Sequence, residues 1–420
     1  MDKLVIQGAA SLKGEVTISG SKNAALPIMA ATLLTDEDCV IRNVPMLRDT
    51  KTMVALLKSL GKKVEFSKNK LTVTQPGELN HIADYNLVST MRGSFCVLGP
   101  LLAKLQKAKV SLPGGCVIGI RPVDLHIKGL TALGTKMNFD NGYVVAKVKQ
   151  LKGAHIYLGG VFGSSVLATA NVMMAATLAK GTTVIELAAC EPEIEDLANM
   201  LNAMGAKITG QGGPKITIVG VKKLTGINYK VIPDRIEAGT YVLAAAATRS
   251  NIAIKGANYN HLMSLMDKLE EAGIKVTNEK GIIRVKPRKV IKPVSVATHP
   301  YPGFPTDLQA QFLAFMALAG GISVITDRVY PDRFIHIAEL NRMGANIRRE
   351  GTNAIAQGVK KLYGAPVMAS DLRASAALVI AGLAAEGRTE VHRIYHLERG
   401  YEKLEEKLAG LGAKVWKEKA

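Results

Sequence analysis

The chain has 420 residues, 48% of them hydrophobic and 21% charged, with a formal net charge of +19. This length supports two or three domains with sizeable cores, no run reaches the roughly 18 uninterrupted apolar residues of a membrane span, and Met1 to Ile6 leads into a strand instead of a signal peptide, so a cytoplasmic protein is expected. The lysines are scattered rather than clustered, and aromatic residues make up 5% with one tryptophan, which argues against a nucleic-acid module and for anionic small molecules as partners.

Taken in chain order, the first segment sets a pattern that the rest repeats. An alanine-rich apolar stretch, Ala24 to Leu34, is followed by a short turn, the strand Cys39-Val40-Ile41 and an amphipathic stretch from Thr50 to Leu60 with its lysines. Leu60-Gly61-Lys62 stops that helix and Lys63-Val64-Glu65 begins a strand, which is where a left-handed C-cap glycine is expected. The same apolar-Gly-polar cassette returns as Leu133-Gly134-Thr135, Met204-Gly205-Ala206, Ala272-Gly273-Ile274, Met343-Gly344-Ala345 and Leu411-Gly412-Ala413. Further alanine-rich helices are predicted through Ser94 to Leu105, Ala170 to Ala179, Gly239 to Thr248, Gln309 to Ala319 and Ala374 to Ala385. They are apolar nearly all round and belong inside their units, whereas the glycine-capped helices are amphipathic and belong outside. The glycines recur about every 70 residues, beyond the 20 to 50 of ordinary solenoids. Six small folds, each of strands with one inner and one outer helix, therefore fill the chain.

The starts of the inner helices carry polar and charged residues in unit after unit: Ser21-Lys22-Asn23, Thr90-Met91-Arg92, Ser164-Ser165, Pro233-Asp234-Arg235, Pro305-Thr306-Asp307 and Ser370-Asp371-Leu372-Arg373. Ser, Thr and Asp there are ordinary N-caps, a reading that suffices for Thr306, Asp307, Ser370 and Asp371. It does not account for Lys22, Arg92, Arg235 and Arg373, because a cation opposes the dipole at a helix N-terminus; their recurrence points to something anionic held nearby. If the units are quasi-symmetric, these starts converge on a shared cleft.

Four cysteines, Cys39, Cys96, Cys116 and Cys190, form no CxxC pair, so free thiols are expected. Cys39 in an apolar strand and Cys96 in an apolar helix read as structural. Cys116 is different: Pro113-Gly114-Gly115 before it and Gly119 after it make a glycine-rich loop able to close over substrate, with Arg121 to favour the thiolate. Cys190 beside Glu191-Pro192-Glu193 is assigned no role.

Five longer motifs, in order from end to end, resemble the UDP-N-acetylglucosamine enolpyruvyl transferase family. They are Gly20 to Pro27 (GSKNAALP), Leu112 to His126 (LPGGCVIGIRPVDLH), Phe304 to Gln311 (FPTDLQAQ), Asp371 to Ala376 (DLRASA) and Arg393 to Glu402 (RIYHLERGYE). The resemblance implies a two-domain inside-out α/β barrel, three units per domain, with the active site in the interdomain cleft. It places residues 22–229 in one domain and 230–420, completed by the N-terminal strand in 1–21, in the other, with a hinge near Tyr229 to Asp234. It also implies the reaction: the enolpyruvyl group of phosphoenolpyruvate moves to the 3-hydroxyl of UDP-N-acetylglucosamine, through a tetrahedral ketal, with release of phosphate and no metal or organic cofactor.

Such chemistry needs a proton for the vinyl methylene, a base for the sugar hydroxyl and cations for phosphate and carboxylate. By resemblance Cys116 supplies the proton and is the site of the covalent phosphoenolpyruvate adduct and of alkylation by fosfomycin, while Asp307 is the base. Lys22 and Arg399, with Arg92, Arg121 and Arg373, match the ring of cations that binds phosphoenolpyruvate. Asn23 contacts the sugar side; Arg121, Pro122, Val123, Asp124 and Leu125 line the nucleotide site; Ser165 and Val166 align with the diphosphate-contacting stretch. Val329 matches a sugar contact, Arg333 a cleft cation and Asp371 an active-site carboxylate, and His126 reads either as a partner supporting the site residues or, the favoured reading, as a half-buried histidine.

Three departures from the family pattern stand out. Arg48 replaces a usual lysine, Gly93 a usual alanine, and Leu158 to Thr169 is longer than the usual diphosphate stretch, which leaves its contacts open. Two rival functions share the fold: a shikimate-pathway enolpyruvyl transferase, which would lack a counterpart of the Cys116 loop, and a paralogue that binds the UDP-sugar without turning it over. The oligomeric state is not legible in the sequence.

Overall fold

The computed structural model describes residues 2–113, 123–286 and 290–419. Cys116, Arg121 and Pro122 thus lie outside the described residues. Among these residues the chain divides into two compact units: one holds the chain up to Ser19 together with that from Pro233 onward, the other Gly20 to Ile232. The changeovers fall at Ser19/Gly20 and Ile232/Pro233, against the expected 21/22 and 229/230. Local hydrogen bonds account for the offset: the Ser21 amide donates to the Ile232 carbonyl at 2.8 Å, and the Asp234 amide to the Ser19 carbonyl at 2.9 Å.

Each unit contains three four-stranded sheets with one topology. In the sheet formed by Ile227–Lys230, Cys39–Arg42, Lys70–Thr74 and Lys63–Ser67, the first pair is parallel and the next two are antiparallel. The other five sheets repeat this. Strand Lys13–Thr17 opens one by pairing parallel to Asn251–Lys255, and Asp2–Gln7 lies third in another, antiparallel to Arg388–His392 and Lys414–Lys419. Two sheets of the Pro233-onward unit are therefore closed by N-terminal strands. Alternation sets the faces: Ile216 and Ile218 of Lys215–Val219 point into the core while Lys215 and Val219 are exposed.

All six cassette glycines, Gly61, Gly134, Gly205, Gly273, Gly344 and Gly412, have φ between +83° and +100°, the left-handed conformation that ends a helix and that a Cβ disfavours. Each follows an amphipathic helix, such as Arg48–Ser59, and leads to an edge strand; Pro192–Ala203, expected outside like the others, is largely buried, with Glu195, Asn199 and Ala203 exposed.

The alanine-rich helices are inside. Arg235–Ala247, Gln309–Met316 and Leu372–Ala384 pack on one another in one unit. In the other, Val166–Ala176 packs against both Lys22–Ala31 and Leu98–Leu105. One apolar core forms in each unit around them. Small residues permit the approach: a Cβ on Gly99 would stand 2.2 Å from the Asn171 carbonyl oxygen. The expected helix from Ser94 to Leu105 is two pieces, a 3-10 turn Arg92–Val97 and the α-helix Leu98–Leu105, whose first turn takes Pro100 without losing a bond. Gly93 is explained by packing as well, since a Cβ there would meet Leu26 Cδ1 at 2.8 Å.

Candidate active site

In the unit from Gly20 to Ile232, the inner helices begin with the residues singled out from sequence. Ser21 caps Lys22–Ala31 by accepting from the Ala24 amide at 3.3 Å. Lys22, the first helical residue, is buried, and its ammonium stands 2.6 Å from Asp49 Oδ2, itself buried in the first turn of Arg48–Ser59. A carboxylate of the protein thus accompanies the cation that opposes the helix dipole. Asp49 went unrecognised in the sequence, where it reads as an acidic residue in a helix's first turn and gives no sign of its distant partner. Asn23 and Arg92 are half-buried at the starts of their helices.

Val123 and Leu125 are half-buried and Asp124 exposed, at the start of Asp124–Ala132. His126, expected to be half-buried, is buried: Asn171, whose Oδ1 is held by the Gly99 amide, donates through Nδ2 to the ring Nδ1 at 2.9 Å. Burial, and secondarily the Arg92 charge, push its pKa down to about 3, so the ring is a neutral packing element. The long Leu158 to Thr169 stretch forms a tight hairpin in which Gly160 and Gly163 exchange backbone hydrogen bonds of 2.9 and 3.1 Å, with Val161 and Phe162 exposed at its tip. Ser165 then caps Val166–Ala176 through the Ala168 amide. That cap is why the helix begins four residues before the expected Ala170.

Three described thiols are free: Cys39 and Cys96 buried, Cys190 partly so. Burial raises the pKa of each, that of Cys96 to about 12. None is a ready nucleophile.

In the unit that includes Pro233 onward, Asp307 lies inside a 3-10 turn, Thr306–Leu308, and caps nothing. Its carboxylate is gripped instead: Oδ1 accepts from Arg333 Nη1 at 2.9 Å and Oδ2 from Arg373 Nη2 at 2.8 Å. The expected N-cap reading of Thr306 and Asp307 is therefore corrected, since two guanidinium groups outbid the helix amides for the carboxylate, and the Thr306 hydroxyl donates to Asp327 Oδ2 at 2.7 Å. Asp371 does cap Leu372–Ala384, accepting from the amides of Arg373 and Ala374, and stands 3.6 Å from Arg333. Alternating charges, Asp371–Arg333–Asp307–Arg373, thus form a chain, with Arg333, Arg373 and Asp371 buried and the Asp307 side chain 26% exposed.

Desolvation works to raise the Asp307 pKa, but the charges and hydrogen bonds of Arg373 and Arg333 together outweigh it and hold the carboxyl well below its usual range. Desolvation likewise opposes ionisation of Asp371, and Arg333 leads the groups that lower its pKa. Both acids are anionic at neutral pH. Arg373 is steadied by Tyr401, whose hydroxyl lies 3.2 Å from Nη1 and whose ring lies under the guanidinium. That hydroxyl also meets Thr240 at 2.9 Å and Gln311 Nε2 at 3.2 Å. The Nε groups of Arg333 and Arg373 have no hydrogen-bond partner among the described residues, leaving two buried donors for an acceptor from a ligand. Val329 sits half-buried on the loop after Asp327, and Arg399 half-buried at the end of Ile394–Arg399.

A buried lattice of fixed guanidinium donors and one partly open carboxylate suits handling of an anion beside a hydroxyl. The family model described as EPSP synthase (3-phosphoshikimate 1-carboxyvinyltransferase) matches residues 6–408. The chain belongs to this family of enolpyruvyl transferases and is an enzyme. Within the family it is 54% identical over 415 residues to the UDP-N-acetylglucosamine 1-carboxyvinyltransferase of Geotalea uraniireducens (strain Rf4), covering 99% of each chain. It is also 54% identical over 417 residues to the protein of that name from Trichlorobacter lovleyi, again covering 99% of each. Among solved structures, the enolpyruvyl transferase NikO from Streptomyces tendae superposes with a TM-score of 0.89 at 23% identity, over 100% of this chain and 99% of that one. EPSP synthase from Acinetobacter baumannii does so with 0.75 at 19% identity, covering 100% of both chains. These share the two-domain inside-out α/β fold.

Proposed function

We propose that this enzyme transfers the enolpyruvyl group of phosphoenolpyruvate to the 3-hydroxyl of UDP-N-acetylglucosamine and releases phosphate, the first committed step of peptidoglycan synthesis, in the cytoplasm. The observation that carries the reading is identity above 50% along essentially the whole of both chains to relatives bearing that activity in their name. The shikimate-pathway alternative has behind it the description of the family model, which covers both kinds of enolpyruvyl transferase here, and a solved structure at 19% identity, against 54% for the relatives named for the UDP-sugar reaction. No described helix is long and apolar enough to cross a membrane.

In this reading Asp307 takes the proton from the sugar hydroxyl as the oxygen attacks C2 of phosphoenolpyruvate, and Cys116 delivers a proton to the methylene carbon. The methyl group of the ketal then gives up a proton as the C–O bond to phosphate breaks, which restores the carbon–carbon double bond of the enolpyruvyl ether and releases phosphate. Lys22, Arg92, Arg121, Arg373 and Arg399 hold the phosphate and carboxylate, arginine by its planar fork and lysine as a compact charge. Asn23, Pro122, Val123, Asp124, Leu125, Ser165, Val166 and Val329 contact the UDP-sugar, with Arg333 and Asp371 holding the base in place. A carboxylate gripped by two guanidinium groups is a weak base. An anion that engages Arg373 loosens that grip, so bound phosphoenolpyruvate raises the basicity of Asp307 when it is needed.

The test is phosphate release from phosphoenolpyruvate with no acceptor, with UDP-N-acetylglucosamine and with shikimate 3-phosphate. Release that requires the UDP-sugar is expected. Release only with the shikimate ester selects the rival enzyme, and none with either, from folded protein that binds the UDP-sugar, selects the non-catalytic paralogue.

A further inference from the structure

Asp327 is a buried carboxylate, 0% exposed, with no ion pair among the described residues. Buried charges are usually paired with an opposite charge. Here the carboxylate is satisfied by four neutral donors: Oδ1 accepts from the Thr298 hydroxyl at 2.7 Å and from the amides of Val329 and Tyr330 at 3.0 and 2.8 Å, and Oδ2 from the Thr306 hydroxyl at 2.7 Å. Those donors sit on three separate stretches. Thr298 follows the strand Val296–Ala297, Thr306 immediately precedes Asp307, and Val329 and Tyr330 belong to the loop after the strand Ile322–Thr326. The Asp327 amide is itself anchored on the Thr352 carbonyl at 3.0 Å, and the Arg328 amide donates to the Thr298 hydroxyl at 3.0 Å. One rigid side chain therefore spans from the turn that carries Asp307 to the loop that carries Val329.

We propose that Asp327 is a positioning residue that locks the turn of the base to the acceptor-contacting loop, so that one carboxylate sets both where the sugar rests and where its proton goes. The proposal rests on reading Asp307 as base and Val329 as an acceptor contact. Its physical basis is that charge-assisted hydrogen bonds are short and directional, and that misplacing a base by an ångström can cost about 100-fold in rate.

The Thr306→Val substitution removes the hydroxyl on the base side, which donates to Asp327 at 2.7 Å and accepts a longer 3.4 Å bond from Arg333 Nη1, while preserving shape; Thr306→Ser keeps it. In steady-state assays Thr306→Val is expected to lower kcat roughly 10-fold or more, with KM for UDP-N-acetylglucosamine within about twofold and melting temperature near wild type, and Thr306→Ser is expected to restore kcat. Asp327→Ala cuts both links and should lower kcat and raise KM for the UDP-sugar, with KM for phosphoenolpyruvate much less affected. Asp307→Asn is measured alongside. If Asp307→Asn is inactive while Thr306→Val turns over like wild type, or if Thr306→Ser fails to restore a lost kcat, the lock is overturned and the base stands. If Asp307→Asn turns over normally, the base reading falls and the proposal with it.

Discussion

Asp307→Asn tests the charge chain most sharply, because it keeps the size of the side chain and removes one charge. The carboxylate makes bonds of 2.9 and 2.8 Å to Arg333 and Arg373. Asparagine offers one oxygen, so its amide group must face a guanidinium, donor against donor. Arg333 keeps Asp371 at 3.6 Å, whereas the buried Arg373 keeps, among the described residues, the Tyr401 hydroxyl and no second carboxylate. Breaking a buried ion pair costs roughly 3–5 kcal/mol. With the Asp307 side chain 26% exposed, the lower end applies, about 3 kcal/mol. For a unit of this size that lowers the melting temperature by about 6–12 °C. Loss of the base should lower kcat by about 100- to 10,000-fold. The sign with pH follows from a folded pKa below the ordinary one: the stability that Asp307 contributes is present above about 3.8 and lost as pH falls below it, so the gap between the two proteins narrows in acid. Calorimetry from pH 7 downward and a phosphate-release assay read both effects. An unchanged melting temperature would refute the grip, and near-normal turnover would refute the base.

Three further outcomes are expected. His126 is neutral in the fold with a pKa of about 3 against an ordinary 6.5, so its contribution is present above pH 6.5 and lost as pH falls; His126→Gln should remove about 2 kcal/mol of acid destabilisation at pH 5, visible as a smaller loss of melting temperature between pH 7 and 5. Fosfomycin should add one adduct by intact mass and none to Cys116→Ala, because burial keeps Cys39, Cys96 and Cys190 protonated; an adduct on the variant would contradict this. Gly205, at φ +100° with nothing within 4 Å of a built Cβ, isolates backbone strain: Gly205→Ala should cost about 1–2 kcal/mol by chemical denaturation with no change in kcat.

The repeat was legible because its signals are local. A glycine that ends a helix announces itself within three residues, and all six cassette glycines adopt the conformation that required them. Helices apolar on every side could only be internal. Their starts were less clear, since Ser165 and the break after Val97 depend on capping and on close packing at Gly93 and Gly99. At the site, resemblance singled out Asp307, Arg333, Asp371 and Arg373, and the fold brings these four together. Their partners were invisible because they are distant: Tyr401 meets Thr240 across 161 positions, and Asp327 reaches Thr298 and Thr306 from just beyond the strand Ile322–Thr326. Local reading also misassigned Asp307 as a cap, for nothing near it in sequence reveals the two arginines that claim its oxygens.

The most direct test of the central claim is the structure of the product. The enzyme is incubated with phosphoenolpyruvate and UDP-N-acetylglucosamine, and the nucleotide-sugar recovered is analysed by mass spectrometry and NMR. An enolpyruvyl ether at the sugar 3-oxygen, formed with one phosphate released per sugar consumed, is the predicted result; recovery of unmodified UDP-N-acetylglucosamine from folded enzyme, or an ether at another position, would contradict it.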